Sequence, residues 1–594
     1  MDSQLVDFDL DVGPKICSMY PPLDLSHTEA DNVAFSSFPD CPQFEQGSQV
    51  HSFRIRARQP SEDKLVRPSD QRPHTVDGFI YGYSHFTQRR DATSKRGYQQ
   101  RSVVILTHLA YPALFHTLVS KLGPAFLMHG SPMLEAACHN VASWSDPSPG
   151  HVVELEFLGT VFQTELPLHV DTQQAPSTKP PPTPLNGSCE APCQILASLP
   201  PSEPPALLLF EACLPQLWSI WECLVLCEPI LVYGPSPAMT SQAVWWLRDI
   251  LRPIPVAGDF RPFFTIHDAD HTALVNPRPP SAGLLLGVTN PYFEGACKHW
   301  PHVLSLGRTP PTKSKAHVAA SPGPLPGWKS RMHKRYVARD HALLEQLKAA
   351  CTGSEQAKRE ASAALRQHFS SRTAALLVPL QRYLQTLIPS PASVASATFP
   401  STPYSKSASV SAFPNSSSSS LFPLRSSVAS SFSYHSAASS GTLVPSPLST
   451  TATTGLATWN APEHASAEDK EGNASQLTIS VPPHDEPIPE SHPSIFVSSV
   501  STTTPSSSTI SSPPSSAASS STRAPTPTPT SADPRLAPFN ERAFLASLKP
   551  LALPFKSAGK AREFYARWIR TPAFGVWIAR QEETVERVLR GERG

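Results

Sequence analysis

Apolar and polar residues alternate along LVDFDLDV (Leu5–Val12), and the run stops at Gly13-Pro14, which predicts a strand closed by a turn. Two aromatic and β-branched runs, FIYGYSHF (Phe79–Phe86) and RSVVILTHL (Arg101–Leu109), predict further strands joined by a long polar loop. The period then lengthens. Leu114, Leu118 and Leu122 fall one per turn in YPALFHTLVSKLG (Tyr111–Gly123), a helix that Gly123-Pro124 is expected to end. Strands followed by a helix predict a small α/β layer domain over residues 1–170.

The patterning changes again at 171–205, a Pro-rich stretch expected to be an extended linker. Over 206–328 helical and strand-like runs alternate: LPQLWSIWECLVLC and SQAVWWLRDIL as helices, PILVYG, FRPFFTIHD and AGLLLGVTN as strands. Continuous apolar strands between helices predict a sheet covered on both faces. Residues 329–388 are helical, with Leu343, Leu344 and Leu347, then Leu365 and Phe369, then Leu376, Leu377, Leu380, Tyr383, Leu384 and Leu387 marking apolar faces, the last kinked or begun near Pro379. From 389 to 534 the chain is Ser, Thr, Ala and Pro, and it has too few apolar groups to offset the entropy of ordering. Ser446, Thr526 and Thr528, each before a proline, are candidate phosphorylation sites there; a plain spacer is the alternative. Amphipathic helices return over 535–594, with Phe564, Trp568, Phe574 and Trp577 as anchors. Such a tail must pack on something, and the helical 329–388 region is the simplest partner, which makes 389–534 an insertion within one unit.

Length and composition bound the function. The 594 residues have room for about four average domains, but 67 are proline, and charged residues make up 16% with a net charge of +1. That balance gives no global attraction to nucleic acid or to an acidic membrane, and leaves only local patches to do so. The start, MDSQLVDFDLDVGPK, lacks the basic and apolar halves of a secretory signal. The most apolar stretch, Ala206 to Tyr233, contains Glu211, Glu222 and Glu228. A charge at mid-bilayer costs about 2.5–3.5 kcal/mol, so three of them predict a buried helix and strand rather than a membrane span. The chain reads as soluble and intracellular, with its ten cysteines reduced.

The usual chemical signatures are absent from the sequence. There is no Gly-x-Ser-x-Gly elbow, no Walker A loop (SAGKAR at Ser557 lacks the upstream glycine and the following Ser/Thr) and no GxGxxG after a strand. Cys189–Cys193 and Cys223–Cys227 have no second pair at zinc-site distance. His267, Asp268, His271, His299 and His302 are expected at strand ends, where ligands sit in α/β sheets, though hydrogen-bonded structural histidines fit equally. The loop TQRRDATSKRGYQQR carries Arg89, Arg90, Lys95 and Arg96, either a solvated hairpin tip or a contact for anionic lipid or an acidic partner.

FDLDVGPKICSMYPP, SSFPD (Ser36–Asp40) and GFIYGYSHFTQRRDATSKRGYQQRSVVILTHLAYPALF resemble the upstream module of DENN-domain proteins. LWSIWECLVLCEPILVYGPSP, DFRPFFTIHDAD and LGVTNPYFEGACKHWPHVLSLG resemble the central module, and YVARDHALLEQL, LLVPLQRYLQTLIP, FNERAFLASL and FYARWIRTPAFGVW the downstream helical one. The wording is nearest to the compact sixth subfamily. This resemblance implies an α/β fold, with a longin-like module and a Rossmann-like module forming a bilobed body completed by helices. It also implies a guanine-nucleotide exchange factor for an endosomal Rab GTPase, acting by binding, without covalent chemistry, cofactor, metal or nucleic acid, and recruited peripherally to endosomal membranes. Asp259, Arg261, Asp268 and Asn290 are the cleft candidates, with Asp259 and Arg261 equally able to pair with each other. The long Pro-rich linker and the Ser-rich insertion are departures that bear on lobe spacing and regulation. A scaffold or Rab effector without exchange activity, a peripheral membrane adaptor working through the basic loop, and an unrecognised enzyme are the rival readings.

Overall fold

In the computed structural model of the chain, which describes residues 2–9, 13–40, 46–58, 75, 77–93, 97–175, 193–308, 323–388, 537–548 and 553–590, the N-terminal alternation forms β1 (Asp2–Asp9). It lies between β2 (Gly13–Tyr20) and β5 (Tyr98–Thr107), and β4 (Phe79–Arg90) and β3 (Gly47–Arg56) extend an antiparallel sheet of order β2-β1-β5-β4-β3. The period of two explains why Val103–Leu106 is apolar at every position. Val103 and Ile105 face the core that contains helix α2 (Pro112–His129), whereas Val104 and Leu106 face a second core with Val33 of α1 (His27–Ser36).

Two elements run further than their sequence signals. Helix α2 does not stop at Gly123-Pro124 but continues to His129 and closes at Gly130, whose N–H donates to the Phe126 carbonyl at 2.7 Å. Gly123 is there for packing: a Cβ would come within 2.2 Å of His85 Cγ. The loop expected over Thr87–Arg101 is mostly strand, because β4 and β5 stay in register out to Arg90 and Tyr98. After α3 (Pro132–Ala142), β6 (Val152–Phe157) pairs antiparallel with β7 (Thr160–Glu165). β8 (Cys193–Leu196), inside the stretch expected to be a linker, adds to β7 in parallel. Gln174 ties this same stretch down, accepting from Ser198 N at 2.9 Å. Its remaining residues, 176–192, lie outside those described.

The second sheet grows from the apolar stretch. After the short α4 (Ala206–Leu209) comes α5 (Leu217–Val225), buried on nearly all faces, then β9 (Ile230–Tyr233) and α6 (Pro237–Asp249). β10 (Phe260–Arg261), α7 (His271–Leu274), β11 (Leu285–Val288), α8 (Tyr292–Ala296), β12 (His302–Ser305) and β13 (Gly327–Ser330) complete it. The order is β10-β11-β9-β12-β13, parallel except for β13. The expected strand FRPFFTIHD is reduced to two residues, because the chain turns at Thr265–Asp268. Phe293, at the start of α8, is fully buried, whereas Tyr292 beside it is exposed.

Helices α9 (His341–Cys351) and α10 (Glu355–Leu387) follow, and α10 runs through Pro379 unbroken. The C-terminal helices Glu541–Ser547 and Ala558–Ile569 pack on α10 and α5, and Pro572–Leu589 packs on Ala558–Ile569 through Trp568. The Tyr565 hydroxyl donates to the Leu376 carbonyl at 2.9 Å, Phe564 lies near-parallel to Trp221, and Phe564, Trp568, Phe574 and Trp577 are all buried. By contacts, residues 1–401 and 528–594 form one compact unit. No helix among the described residues is long and apolar enough to cross a membrane.

Candidate functional site

The two sheets meet where β3 crosses α6 and β10. The Trp245 indole N–H of α6 donates to Ser52 Oγ at 2.8 Å, and Arg54 and Arg56, alternating on β3, reach into the second sheet. Arg54, almost wholly buried, donates to Asp259 Oδ1 at 3.2 Å, to the Phe260 carbonyl at 3.0 Å and to Asp77 at 3.1 Å. Its guanidinium lies 3.5 Å from the centre of the Phe79 ring and 4.1 Å from that of Phe260. Arg56 is half-exposed and donates to Asp270 at 3.0 Å.

Arg261 is the hub of this network. It has no exposed surface and donates to both Asp259 oxygens at 3.1 and 3.2 Å, to the Arg54 carbonyl at 3.3 Å, to Asp268 at 3.5 Å and to Asp270. Three arginines thus meet Asp77, Asp259, Asp268 and Asp270, and the charges balance to within one. A buried charge persists only when it is paired and hydrogen-bonded in this way. Burial is the largest influence on Asp268 and pushes its carboxyl up to about 6 against the attraction of Arg261. Burial also opposes ionisation of Asp270, but the hydrogen bond and charge of Arg261 and the charge of Arg56 outweigh it and hold that carboxyl below its ordinary value.

Three of the four cleft candidates, Asp259, Arg261 and Asp268, therefore come together, with Asp259 and Arg261 paired to each other. Asn290 stands apart from them. Its Oδ1 accepts from Tyr292 N at 3.0 Å, capping the turn into α8, and its Nδ2 donates to Asp40 at 2.9 Å. Thr289 adds a bond to the Asp40 carbonyl at 2.7 Å. Asp40 ends the SSFPD motif, whose Ser37 carbonyl accepts from Ser84 and Ser102, both at 2.8 Å. One motif thus ties the first sheet to the second. The turn at 267–271 connects the two clusters: His267 stacks on Phe35 at 4.1 Å, Ala269 N donates to Asn32 at 3.0 Å, and His271 lies against Tyr292. Arg56, Asp270, Asn290 and Tyr292 form the accessible rim, and Arg261 and Asp268 lie beneath.

Arg54, Arg56, Asp77, Asp270 and Asp40 were not legible as site residues. The two arginines carried one signal, their alternation in FRIR, which a half-buried strand displays when every second side chain reaches a neighbouring element. In the basic hairpin, Arg89 and Arg90 are exposed at the end of β4, while Lys95 and Arg96 lie outside the described residues. The strand-end histidines do not converge. His299 bonds the Arg278 carbonyl at 3.0 Å, and His302 pairs with Glu228 at 2.6 Å and with Ser330 at 3.1 Å. Cys223 lies close to the His302–Glu228 pair, the one grouping of metal-ligand type among the described residues, but Glu228 also pairs with the Arg567 cation.

No protein-family model matches the chain. Curated relatives do. Protein DENND6A of Gallus gallus is 30% identical over 409 residues, covering 65% of this chain and 68% of that one. Protein DENND6B of Homo sapiens is 31% identical over 409 residues, 65% of this chain and 67% of the relative. The Protein DENND6 homolog of Dictyostelium discoideum is 26% identical over 454 residues. With its long motifs in the order the resemblance required, the chain belongs to the DENN-domain family, in its DENND6 group.

Proposed function

We propose that this protein is a guanine-nucleotide exchange factor for a Rab-family small GTPase in endosomal membrane traffic. Membership of the DENND6 group supports the reading most directly. In it, the antiparallel sheet is the longin-like upstream module (1–170) and the mixed sheet the Rossmann-like central module (206–328). Residues 329–388 and 535–594 are the downstream module, interrupted by the 389–534 insertion. The stretch 171–205 connects the first two.

Exchange needs no bond-making. It requires that the factor bind the nucleotide-free GTPase more tightly than the loaded one, since only differential affinity moves the equilibrium. Every 1.4 kcal/mol of that difference is about tenfold. A surface with such a preference must keep its shape while the GTPase changes. A rim fixed from beneath by a charge-balanced arginine–aspartate network, spanning two sheets, is suited to that. On this reading Asp259, Arg261 and Asp268 set the relative position of the two modules, and Arg56, Asn290 and Tyr292 touch the GTPase.

Release of fluorescent GDP from a panel of purified Rab proteins tests this. Acceleration of one or two of them is expected, and Arg56→Glu or Tyr292→Ala should each reduce it by about tenfold, as loss of an interface anchor does. Binding of a GTP-loaded Rab with no acceleration of any would replace exchange with a scaffold or effector role.

A further inference from the structure

A cavity of about 440 Å³ opens on one face of the mixed sheet, bounded by β9, α8, β12 and β13. Its inner wall is apolar, with Leu231 and Trp300 both buried. Lys298, Lys329 and Arg331 stand exposed around it, with Glu294 the one acid among them. None of the three cations has an acidic partner among the described residues. Trp300 is 2% exposed, and its indole N–H finds no acceptor among the described residues, although indole donors are usually satisfied when buried. A pocket with an apolar wall, an unused buried donor and three unneutralised cations is built for an anion.

The surroundings select the kind of anion. From Gly327 to Arg339 the chain carries Lys329, Arg331, Lys334, Arg335 and Arg339 and no acid. Burial, and after it the like charge of Arg335, weakens protonation of Arg339. Two apolar side chains project close by in sequence, Leu325 just before this segment at 73% exposed and Met332 within it at 80%. A net charge of +1 gives the whole molecule no attraction to an acidic surface, so any such attraction must come from a patch of this sort.

We propose that this face docks on anionic membrane. A lipid phosphate headgroup enters the cavity between Lys298, Lys329 and Arg331 towards the Trp300 N–H, and Leu325 and Met332 dip into the headgroup–acyl boundary. The charges supply the attraction and the two apolar side chains resist its loss in salt. The cavity shares α8 with Tyr292 of the rim, but Lys298, Lys329 and Arg331 are not rim residues, and the proposal does not depend on the exchange reading.

Flotation of the full-length chain with phosphatidylcholine vesicles, with and without phosphatidylserine, tests the proposal. Binding is expected only with phosphatidylserine and should weaken with salt. The K298E/K329E/R331E variant, whose substituted side chains are exposed, should lose about tenfold or more in vesicle partitioning with its melting temperature retained. Leu325→Ser with Met332→Ser should leave binding that salt abolishes more readily, and R89E/R90E should bind as the parent does. The proposal is overturned if the parent chain ignores phosphatidylserine, or if the loss follows R89E/R90E instead. It is equally overturned if the triple variant floats normally but fails to bind its GTPase, which would assign this face to a protein partner.

Discussion

Three glutamates in the apolar stretch Ala206–Tyr233 ruled out a membrane span, and each holds a segment far away in the chain. Glu211 accepts from Arg308 at 2.9 Å. Glu222, fully buried within α5, accepts from His333 Nε2 at 2.7 Å and from the backbone N–H groups of Tyr336 and Val337, and so fixes the entry to the downstream helices. Glu228 joins His302 on β12 to Arg567 on the helix Ala558–Ile569. Burial works against its charge, but the hydrogen bond and charge of His302, with Arg567, hold its carboxyl at about 2 against an ordinary 4.5. A depressed acid contributes stability that is complete above its unfolded value and is lost as pH falls towards its folded one. Glu228→Gln should therefore melt below the parent above pH 4.5, with the gap closing between 4.5 and 2. Melting temperatures of the two proteins across that range check it, and a constant gap would mean that Glu228 is not held as an anion. The sequence showed that these acids needed partners. It could not show which ones, because His333 and Arg567 are brought to them only by the tertiary fold.

At the scale of elements, periodicity placed β1, β4, β5, β9, β11, the core of α2 and the C-terminal helices, because each buries a face or is buried throughout. It missed β3, in which the buried positions include His51, Ser52 and Arg54 and hydrophobicity therefore carries little signal. It also misread Gly123-Pro124 as a stop. A glycine inside a helix weakens it by about 1 kcal/mol relative to alanine, so one is kept where contact demands it. Here the contact is the His85 side chain of β4 against α2. Gly123→Ala would gain that propensity but force a Cβ into the His85 ring and Cβ, and overpacking of this kind costs about 1–3 kcal/mol. The expected result is a net loss, read as a lower urea midpoint. Gly123→Ala combined with His85→Ala should recover part of it, since the ring atoms at 2.2 and 2.4 Å would be gone and only the Cβ contact at 2.7 Å would remain. Stabilisation by the single change would show that the helix tolerates the methyl, and that Gly123 is not required by packing.

For the whole molecule, the open question is how a unit survives interruption between α10 and the helix Glu541–Ser547. The two ends supply the physical reason. Ala537 N donates to the Leu387 carbonyl at 3.1 Å, and Tyr383 packs edge-on to Phe539 and Phe544, so the chain leaves and re-enters the unit at one place. Composition placed this insertion at 389–534 and assigned the returning helices to the 329–388 partner, both from the argument that an amphipathic tail must bury its face. What composition could not give was the adjacency of the ends, which is a property of the packed aromatic cluster. The ends already touch, and on the composition reading the stretch between them is an insertion whose length adds only closure entropy. Each doubling of a flexible loop costs about 0.6 kcal/mol, so replacing 389–536 by a short Gly/Ser linker, roughly four halvings, should stabilise the unit by about 2 kcal/mol at most. Urea unfolding of the shortened chain should show an unchanged or higher midpoint, and the acceleration of GDP release expected from the proposed function should be preserved if the insertion only regulates. A large fall in the midpoint would mean that residues 389–536 hold the downstream helices in place, which would make them part of the folded unit rather than an insertion in it.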